Sequence, residues 1–425
     1  MENIKKMFSL VRSSTAKDTY TLFFGNTLSA FLGFLFTLIV ARNLSLSDFG
    51  IFSAATNLVV ILTSLTDLGI STGAVNFVSS SLSKGKVKLA NKYIMAATVT
   101  RFSVTFVISL LVIMFAPFVS TNLLAGGDSS AAIWVGLVSL SLGLPMLLPF
   151  FLQAKKKFVA SIVADNVLYL VRLLFTFGFV LMSVLTIGNS LLAFVIGGVL
   201  GTTTGILLIG PGFLKTRPSI SIYKKLFRFS GWIGVNRVIS SISGRLDIQM
   251  LAIFASATAT GLYSIPSRLA GFVVVLASSF SGVLAPRMAG FNDREKEKRY
   301  IVKALLALIP ISLGLILWII IAEPFITILF GDKFIDSVPI FQSLVAAMIP
   351  FIFTAPSVTA IIYSMKKTVY IGVYSFFQII AIFTLNYIFI PKYGPIGPAI
   401  TFAITNTLLL IYTWTIVIRH YWKRT

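Results

Sequence analysis

The chain has 425 residues, of which 57% are hydrophobic and 11% are charged. A soluble domain carries about 25% charged residues, so this composition excludes a soluble globular protein and indicates an integral membrane protein. The chain has no cysteine and a single histidine, His420, so disulfides, thiolate metal sites and a histidine-based catalytic or metal site are not expected. The formal net charge of +22 raises nucleic-acid binding as an alternative, which depends on where the basic residues lie.

Apolar runs of about 20 residues predict membrane-spanning helices. Residues 1–18 precede the first run and predict a short cytoplasmic amphipathic helix on the membrane surface, although a frayed basic tail fits equally well. The run 49–80 is too long for one straight crossing and is expected to leave the bilayer. We predict an all-α polytopic membrane protein with twelve spans: 19–41, 49–80, 93–116, 131–152, 159–182, 190–213, 229–255, 260–286, 302–322, 337–363, 369–390 and 397–418.

The basic residues lie almost entirely on one side of the predicted spans. Of the 35 lysines and arginines, 27 fall in links on the same side as the N-terminus, three fall in the opposite links and five lie inside spans. Cytoplasmic loops are enriched in lysine and arginine, so this pattern predicts cytoplasmic termini, with a basic tail at 419–425, in the inner or plasma membrane. It also accounts for the positive charge without nucleic acid. No link is long enough for a soluble catalytic domain.

The second half of the sequence repeats the first. Residues 50–53, GIFS, return as residues 261–264, GLYS, at an offset of 211, and Pro145 matches Pro350 at an offset of 205. Six spans per half is an even number, so the two halves have the same orientation and form a parallel repeat. The predicted organisation is an N-lobe at 19–213, a cytoplasmic linker at 214–228 and a C-lobe at 229–418.

Charged residues inside the predicted spans are the main functional signal. Each one costs roughly 2.5–3.5 kcal/mol at the bilayer centre, and with five arginines against three carboxylates at least two arginines lack a carboxylate partner. We interpret the arginines as lining a wet cavity that binds a diphosphate group. In the alternative, which stays open, each arginine is paired, capped by carbonyl groups or reaches the interface. The residues are Arg101, Arg172, Arg237, Arg245 and Arg268, with Asp67, Asp165 and Asp247.

One stretch, residues 230–269, carries the densest set of these groups. Arg237, Ser241, Arg245 and Gln249 follow an i, i+4, i+8, i+12 spacing, and Asp247 lies on the neighbouring stripe. In a continuous helix this spacing places all of them on one side, which we predict to face the cavity.

Several polar residues receive weaker assignments. For Asp67, a structural ion pair and a proton or sodium site are equally favoured, and ion coupling is also considered for Asp165 and Asp247. Asp165 and Arg172 share a helical face but lie about 10 Å apart along its axis, too far to pair directly. No metal or cofactor is predicted beyond proton or sodium coupling. The candidate sugar-binding residues are Asn26, Asn57, Tyr169, Asn236 and Gln249.

Residues 25–70 read GNTLSAFLGFLFTLIVARNLSLSDFGIFSAATNLVVILTSLTDLGI. Ala41-Arg42 ends the first predicted helix, the acidic-aromatic-glycine turn of residues 48–50 follows, and Asp-Leu-Gly at residues 67–69 ends the next apolar segment. This pattern resembles the polysaccharide transport family, the Wzx-type lipid-linked oligosaccharide flippases. Asn43, where an apolar residue is usual, departs from it.

The resemblance implies the multidrug/oligosaccharidyl-lipid/polysaccharide exporter fold, in which two six-helix lobes enclose a V-shaped cavity that opens alternately to each side. The implied substrate is an undecaprenyl-diphosphate-linked oligosaccharide moved from the inner to the outer leaflet through a cationic cavity. The implied partners are this lipid-linked substrate, membrane lipids and other polysaccharide-assembly proteins.

Two other function classes remain as alternatives. A drug or cation antiporter of the same fold needs acidic sites in a cavity poor in arginine, and the excess of arginine argues against it. A membrane-embedded polysaccharide polymerase or ligase needs catalytic residues near a substantial outer loop, and the sequence has no such loop. We therefore predict a transporter rather than an enzyme.

Overall fold

The computed structural model describes residues 14–291 and 293–422, except the side chains of residues 14–16 and of Asn236. Within this part all regular elements are helical and no strand occurs. The amphipathic helix predicted for residues 1–18 lies almost wholly outside the described residues, as does the end of the predicted tail. The prediction of an all-α polytopic membrane protein is confirmed by the helices below.

Ten stretches of the described chain are long and apolar enough to cross a membrane. The last of them, Thr368–Tyr421, is 54 residues long and contains two helices, so the ten stretches account for eleven of the twelve predicted spans. The remaining predicted span, 229–255, is divided between two helices, of which the first carries several basic residues.

The chain divides into two compact units, which we call unit one (residues 1–45 and 55–245) and unit two (46–54 and 246–425). The predicted lobe limits, 19–213 and 229–418, stay a prediction. The helices of the first part of the chain are α1 Ser14–Asn43, α2 Leu46–Asp67, α3 Ile70–Ser83, α4 Val87–Met114, α5 Ala116–Leu123, α6 Ser129–Gly143, α7 Leu148–Ala154, α8 Phe158–Leu181, α9 Ile187–Ile209 and α10 Ile220–Ser243.

Unit two begins with nine residues of α2 and continues from residue 246. A π-helical turn at Ala360–Ser364 directly follows the helix that ends at Thr359, and the next helix begins at Thr368. Its further helices are α11 Leu246–Phe254, α12 Ala257–Ala289, α13 Arg294–Ile320, α14 Ala322–Phe330, α15 Ser337–Ile352, α16 Thr354–Thr359, α17 Thr368–Tyr393 and α18 Gly397–Tyr421.

The internal repeat is visible in matched elements and matched backbone geometry. The breaks before α8 and α17 contain Lys156 (φ 57) and Lys366 (φ 53), two residues in the left-handed region at equivalent places. Within unit two, α2 and α12 cross at the repeated glycines: a Cβ on Gly50 would lie 1.8 Å from the carbonyl oxygen of Ala257, and one on Gly261 would lie 2.5 Å from that of Leu46. Only glycine permits this close approach.

Two predicted spans are broken in the structure. The long run 49–80 becomes α2 and α3, separated by Leu68 (φ 44) and Gly69 (φ 71) in the left-handed region. The run 229–255 becomes α10 and α11, which are separated by a turn at Gly244 and Arg245. The prediction of one continuous helix from Arg237 to Gln249 is therefore wrong.

Candidate functional site

The site is positioned by a close crossing of α10 over the break between α2 and α3. A Cβ on Gly69 would lie 2.4 Å from the carbonyl oxygen of Ser230, and a Cβ on Gly234 would lie 2.4 Å from the carbonyl carbon of Leu68. The two backbones therefore touch at these glycines. Because Asp67 lies two residues before Gly69 and Arg237 lies three residues after Gly234, the crossing brings their side chains together.

Asp67 is the centre of a buried polar cluster in unit one. Its Oδ1 lies 2.8 Å from the NH1 of Arg101, and its Oδ2 lies 2.9 Å from the NH1 of Arg237. The hydroxyl of Ser71, one turn along the chain, also donates to Oδ1. We call Asp67, Ser71, Arg101 and Arg237 the Asp67 cluster. Of the two roles considered from sequence, the structure shows the ion pair, and Asp67 shares its charge between two arginines.

Arg101 is fully engaged in this cluster. Its side chain is 3% exposed. Besides the bond to Asp67, Nε donates to the carbonyl oxygen of Gly143 at 3.1 Å and NH2 donates to that of Thr63 at 3.0 Å. Gly143 is the last residue of α6, and carbonyl groups at a helix end lack intrahelical partners. The guanidinium group of Arg101 therefore hydrogen-bonds a helix-end carbonyl as well as the carboxylate of Asp67. This arginine has little capacity left for a ligand.

Arg237 is the accessible member of the cluster. Its side chain is 43% exposed, against 9% for that of Asp67. It lines a pocket of about 320 Å³ in which Ser241 on α10 donates to Ser64 on α2 at 2.7 Å. The other residues lining the pocket are Val60, Thr63, Asp67, Ser71, Arg101, Met146 and Phe150. The free face of Arg237 therefore meets a space bordered by hydroxyl groups.

The electrostatics of this pocket favour an anion. One carboxylate faces two guanidinium groups, so the cluster keeps a net positive charge. Guanidinium groups bind phosphate oxygens through parallel hydrogen bonds, and Arg237 is the guanidinium with an exposed face in this pocket. A phosphate group is therefore the ligand chemistry that this arrangement fits.

Arg172 is stabilised differently. It is buried, and among the described residues it forms no ion pair. Instead its Cζ lies 4.3 Å from the ring centroids of Phe36 and Phe194 and 5.0 Å from that of Tyr169. Such cation–π contacts stabilise a desolvated charge, and they come from α1, α8 and α9. The predicted role of Arg172 in diphosphate binding stays a prediction.

Asp165, one helical turn before Tyr169, accepts a hydrogen bond from the Ser29 hydroxyl at 3.0 Å. It does not pair with Arg172 within the described residues, in agreement with their predicted separation along α8. Tyr169 is half-buried beside Arg172, whereas Asn26 is exposed on α1. Their predicted sugar contacts stay predictions.

The break between α10 and α11 divides the residues that were predicted from their spacing to share one helical face. Arg237 and Ser241 lie on α10 in unit one, and Arg245 is half-buried in the link, where its carbonyl oxygen accepts from the Asn57 amide at 3.0 Å. Asp247 and Gln249 lie on α11 and belong to unit two. The common helical face predicted for these residues is therefore not observed.

In unit two, Asp247 is buried and accepts hydrogen bonds from Tyr263 at 2.7 Å and from Ser267 at 3.1 Å. Gln249 is buried and Arg268 half-buried in the same unit, and each makes further contacts. The side chain of Asn236 lies outside the described part of the structure. Cavity roles for these residues stay predictions.

Sequence reasoning missed several contributors to these sites. Ser64 and Ser71 were not assigned to a site, although the sequence places them with Asn57 at intervals of seven residues, a spacing typical of one helical face. Phe36 and Phe194 carry no comparable signal, because an aromatic residue in an apolar span looks like any other lipid-facing or core residue.

Comparisons with known proteins identify the family to which the chain belongs. A family model described as "Polysaccharide biosynthesis protein" matches residues 15–292, which is more than half of the chain. The chain belongs to this family. A putative O-antigen transporter of Shigella flexneri is 25% identical over 199 residues, which are 45% of this chain. Those residues span about half of the relative's length, 47% of it.

Solved structures share the fold. An inward-facing multidrug resistance MATE family transporter of the MOP superfamily superposes with a TM-score of 0.72 at 13% identity, covering 91% of this chain and 94% of that one. The lipid II flippase MurJ in an inward closed conformation gives a TM-score of 0.70 at 17% identity, covering 95% and 87%. At these identities the likeness shows the fold alone. The resemblance inferred from residues 25–70 is confirmed by the family match. The relative and the solved structures named above are transporters or a flippase, in agreement with the prediction of a membrane transporter rather than an enzyme.

Proposed function

We propose that this protein is a flippase that moves an undecaprenyl-diphosphate-linked oligosaccharide from the inner to the outer leaflet of the cell membrane by alternating access. The observation that supports this most is the Asp67 cluster: a net positive group with one accessible arginine, Arg237, beside hydroxyl groups in a pocket of about 320 Å³. Membership of the polysaccharide biosynthesis family supports a saccharide-bearing substrate.

In this proposal the diphosphate binds the free face of Arg237. Arg101, held by Asp67 and two carbonyl groups, fixes the position of Asp67, and Asp67 in turn orients Arg237. Without a ligand, Asp67 partly neutralises Arg237 at membrane depth. When the diphosphate binds, its oxygens supply the missing negative charge, and they leave with the substrate after translocation.

The membrane potential gives this step a direction. The asymmetry of basic residues supports cytoplasmic termini, so an outward-moving diphosphate travels down an inside-negative potential. Two negative charges gain about 4–5 kcal/mol per 100 mV. We propose that this gain drives the transport. Where an ion contributes, Asp165 is the candidate carboxylate of unit one, since the hydrogen bond that it accepts within the described residues comes from the uncharged hydroxyl of Ser29.

The test is translocation by the purified full chain in liposomes, with a fluorescent undecaprenyl-diphosphate saccharide as the substrate. We expect protein-dependent movement that is faster with an imposed inside-negative potential. The same vesicles are also tested with a small organic cation. Cation transport against protons or sodium, without movement of the lipid-linked saccharide, would contradict the proposal and support the antiporter alternative.

A further inference from the structure

A second pocket, of about 210 Å³, lies within unit two between α12, α15, α16, α17 and α18. None of the side chains that line it is charged. Its polar groups are Ser278 and Ser281 on α12, Thr354 on α16, and Tyr374, Ser375 and Gln378 on α17. We call it the neutral pocket.

The neutral pocket is the repeat counterpart of the pocket around Asp67. At the offset of 211 that relates Gly50 to Gly261, Thr63 and Asp67 correspond to Val274 and Ser278. All four residues line their respective pockets, so the two halves of the repeat have matching pockets, one beside α2 in unit one and one beside α12 in unit two.

The other wall of each pocket gives the same correspondence. At the offset of 205 that relates Pro145 to Pro350, Met146 and Phe150 correspond to Phe351 and Ala355. Ser278 occupies the position in the second half that Asp67 occupies in the first, so the neutral pocket has no carboxylate there. The residues that line the neutral pocket also include no arginine. The repeat therefore carries one charged and one uncharged version of the same pocket.

Several polar groups of the neutral pocket make no hydrogen bond within the described residues. They are the hydroxyls of Ser281 and Ser375 and the side-chain amide of Gln378. Together they offer both donors and acceptors. Such groups at membrane depth need water or a polar ligand, because acyl chains cannot satisfy them.

The chemistry of the pocket selects a neutral, hydroxyl-rich ligand. An ionised group would enter without a counter-charge, which is costly. The ring of Tyr374, stacked on Tyr412 at 5.4 Å between centroids, adds a flat apolar wall. A sugar ring matches this combination, since it has hydroxyls that donate and accept at its edge and apolar C–H groups on its faces.

We propose that the neutral pocket binds one sugar residue of the saccharide. The neutral pocket takes an uncharged sugar ring, whereas the pocket around Asp67 fits an anionic group. This inference rests on the proposed function, because that function identifies the substrate as a lipid-linked saccharide. Sugar binding to the pocket can nevertheless be measured without measuring transport.

The experiment measures binding of free monosaccharides to the full chain in lipid nanodiscs by saturation-transfer-difference NMR. The probes are glucose, galactose, rhamnose and N-acetylglucosamine. Ser281→Phe fills the pocket, and Gln378→Leu removes its amide with little change in volume. The matched control is Ser279→Phe, because Ser279 is exposed on the same helix and does not line the pocket.

We expect at least one sugar to bind the wild type, no binding to Ser281→Phe, and roughly tenfold weaker binding to Gln378→Leu, as expected when a polar partner is lost. Ser279→Phe should bind like the wild type. The inference is overturned when no sugar of the panel binds the wild type, or when binding survives in both pocket variants. Failure of the proposed function gives a different result, namely no movement of the lipid-linked saccharide while sugar binding is intact.

Discussion

The arginines inside the predicted spans are stabilised in different ways. Arg101 is held by a carboxylate and two carbonyl oxygens, and Arg172 is surrounded by three aromatic rings. Arg237 shares the carboxylate of Asp67 and keeps a free face. Arg101, buried and held by three hydrogen bonds, serves the structure, whereas Arg237, with an exposed face beside a pocket, can bind a ligand.

This difference predicts opposite effects for two alanine substitutions. Arg101→Ala breaks a buried ion pair and leaves Asp67 with one guanidinium fewer, which should cost about 3–5 kcal/mol. Arg237→Ala removes a half-exposed side chain and should cost much less. Thermal unfolding of the purified variants in detergent measures both effects.

Each of these two variants is the control for the other, because both lose a guanidinium group that bonds to Asp67 and they differ in how deeply that group is buried. Equal losses of stability would contradict the assignment of Arg101 as the structural member, and a larger loss in Arg237→Ala would reverse it.

The charge count of the sequence predicted part of this pattern. Five arginines against three carboxylates correctly implied that carboxylates alone do not pair every arginine. The count could not show that two arginines share Asp67, nor that Phe36 and Phe194 stabilise the charge of Arg172, because both depend on contacts between helices far apart in sequence.

The helices that form the site are positioned by their ends and by glycines. The break at Leu68 and Gly69 stops α2 at Asp67, and Gly234 lets α10 approach the broken backbone closely. The run 49–80 was predicted to leave the bilayer because it is too long for one straight crossing, but a break within its helix was not predicted. The end of α10 at Ser243 was missed, because the apolar run continues through residue 255.

Substitution at the crossing tests its role. A Cβ on Gly234 would lie 2.4 Å from the backbone of Leu68, so Gly234→Ala must push α10 away and should cost about 1–3 kcal/mol. The shift should also weaken the Arg237–Asp67 contact and therefore transport. Thermal unfolding and the liposome assay measure the two effects.

Gly231→Ala is the control on the same helix, because a Cβ there meets nothing within 4 Å. It should leave transport intact and raise stability by about 0.4–1 kcal/mol. The crossing would lose its assigned role if both alanine variants behaved alike.

At the scale of the molecule, the repeat is the most reliable feature of the sequence. In the structure, Lys156 and Lys366 are both left-handed at matched positions, and the repeated glycines Gly50 and Gly261 meet where α2 and α12 cross. The sequence matches alone predicted neither feature. The sequence could not assign α10 to unit one, because its apolar pattern does not specify which neighbours it packs against.

Orientation is also a property of the whole molecule, and the cysteine-free chain permits a direct test. Lys84→Cys lies in a predicted cytoplasmic link and Lys392→Cys in a predicted outer link, and both lysines are exposed. In intact cells a membrane-impermeant maleimide should label Lys392→Cys alone, and Lys84→Cys should react only after permeabilisation. The reverse pattern would contradict the orientation.

The central claim is that Arg237 in the Asp67 cluster binds the diphosphate of the substrate. The most direct measurement is the affinity of an undecaprenyl-diphosphate saccharide for the purified wild type and for Arg237→Gln, which keeps a polar side chain but removes the charge. We expect binding at least roughly tenfold weaker in the variant, as for loss of a charge-assisted hydrogen bond. Equal affinities for two equally well-folded proteins would contradict the claim.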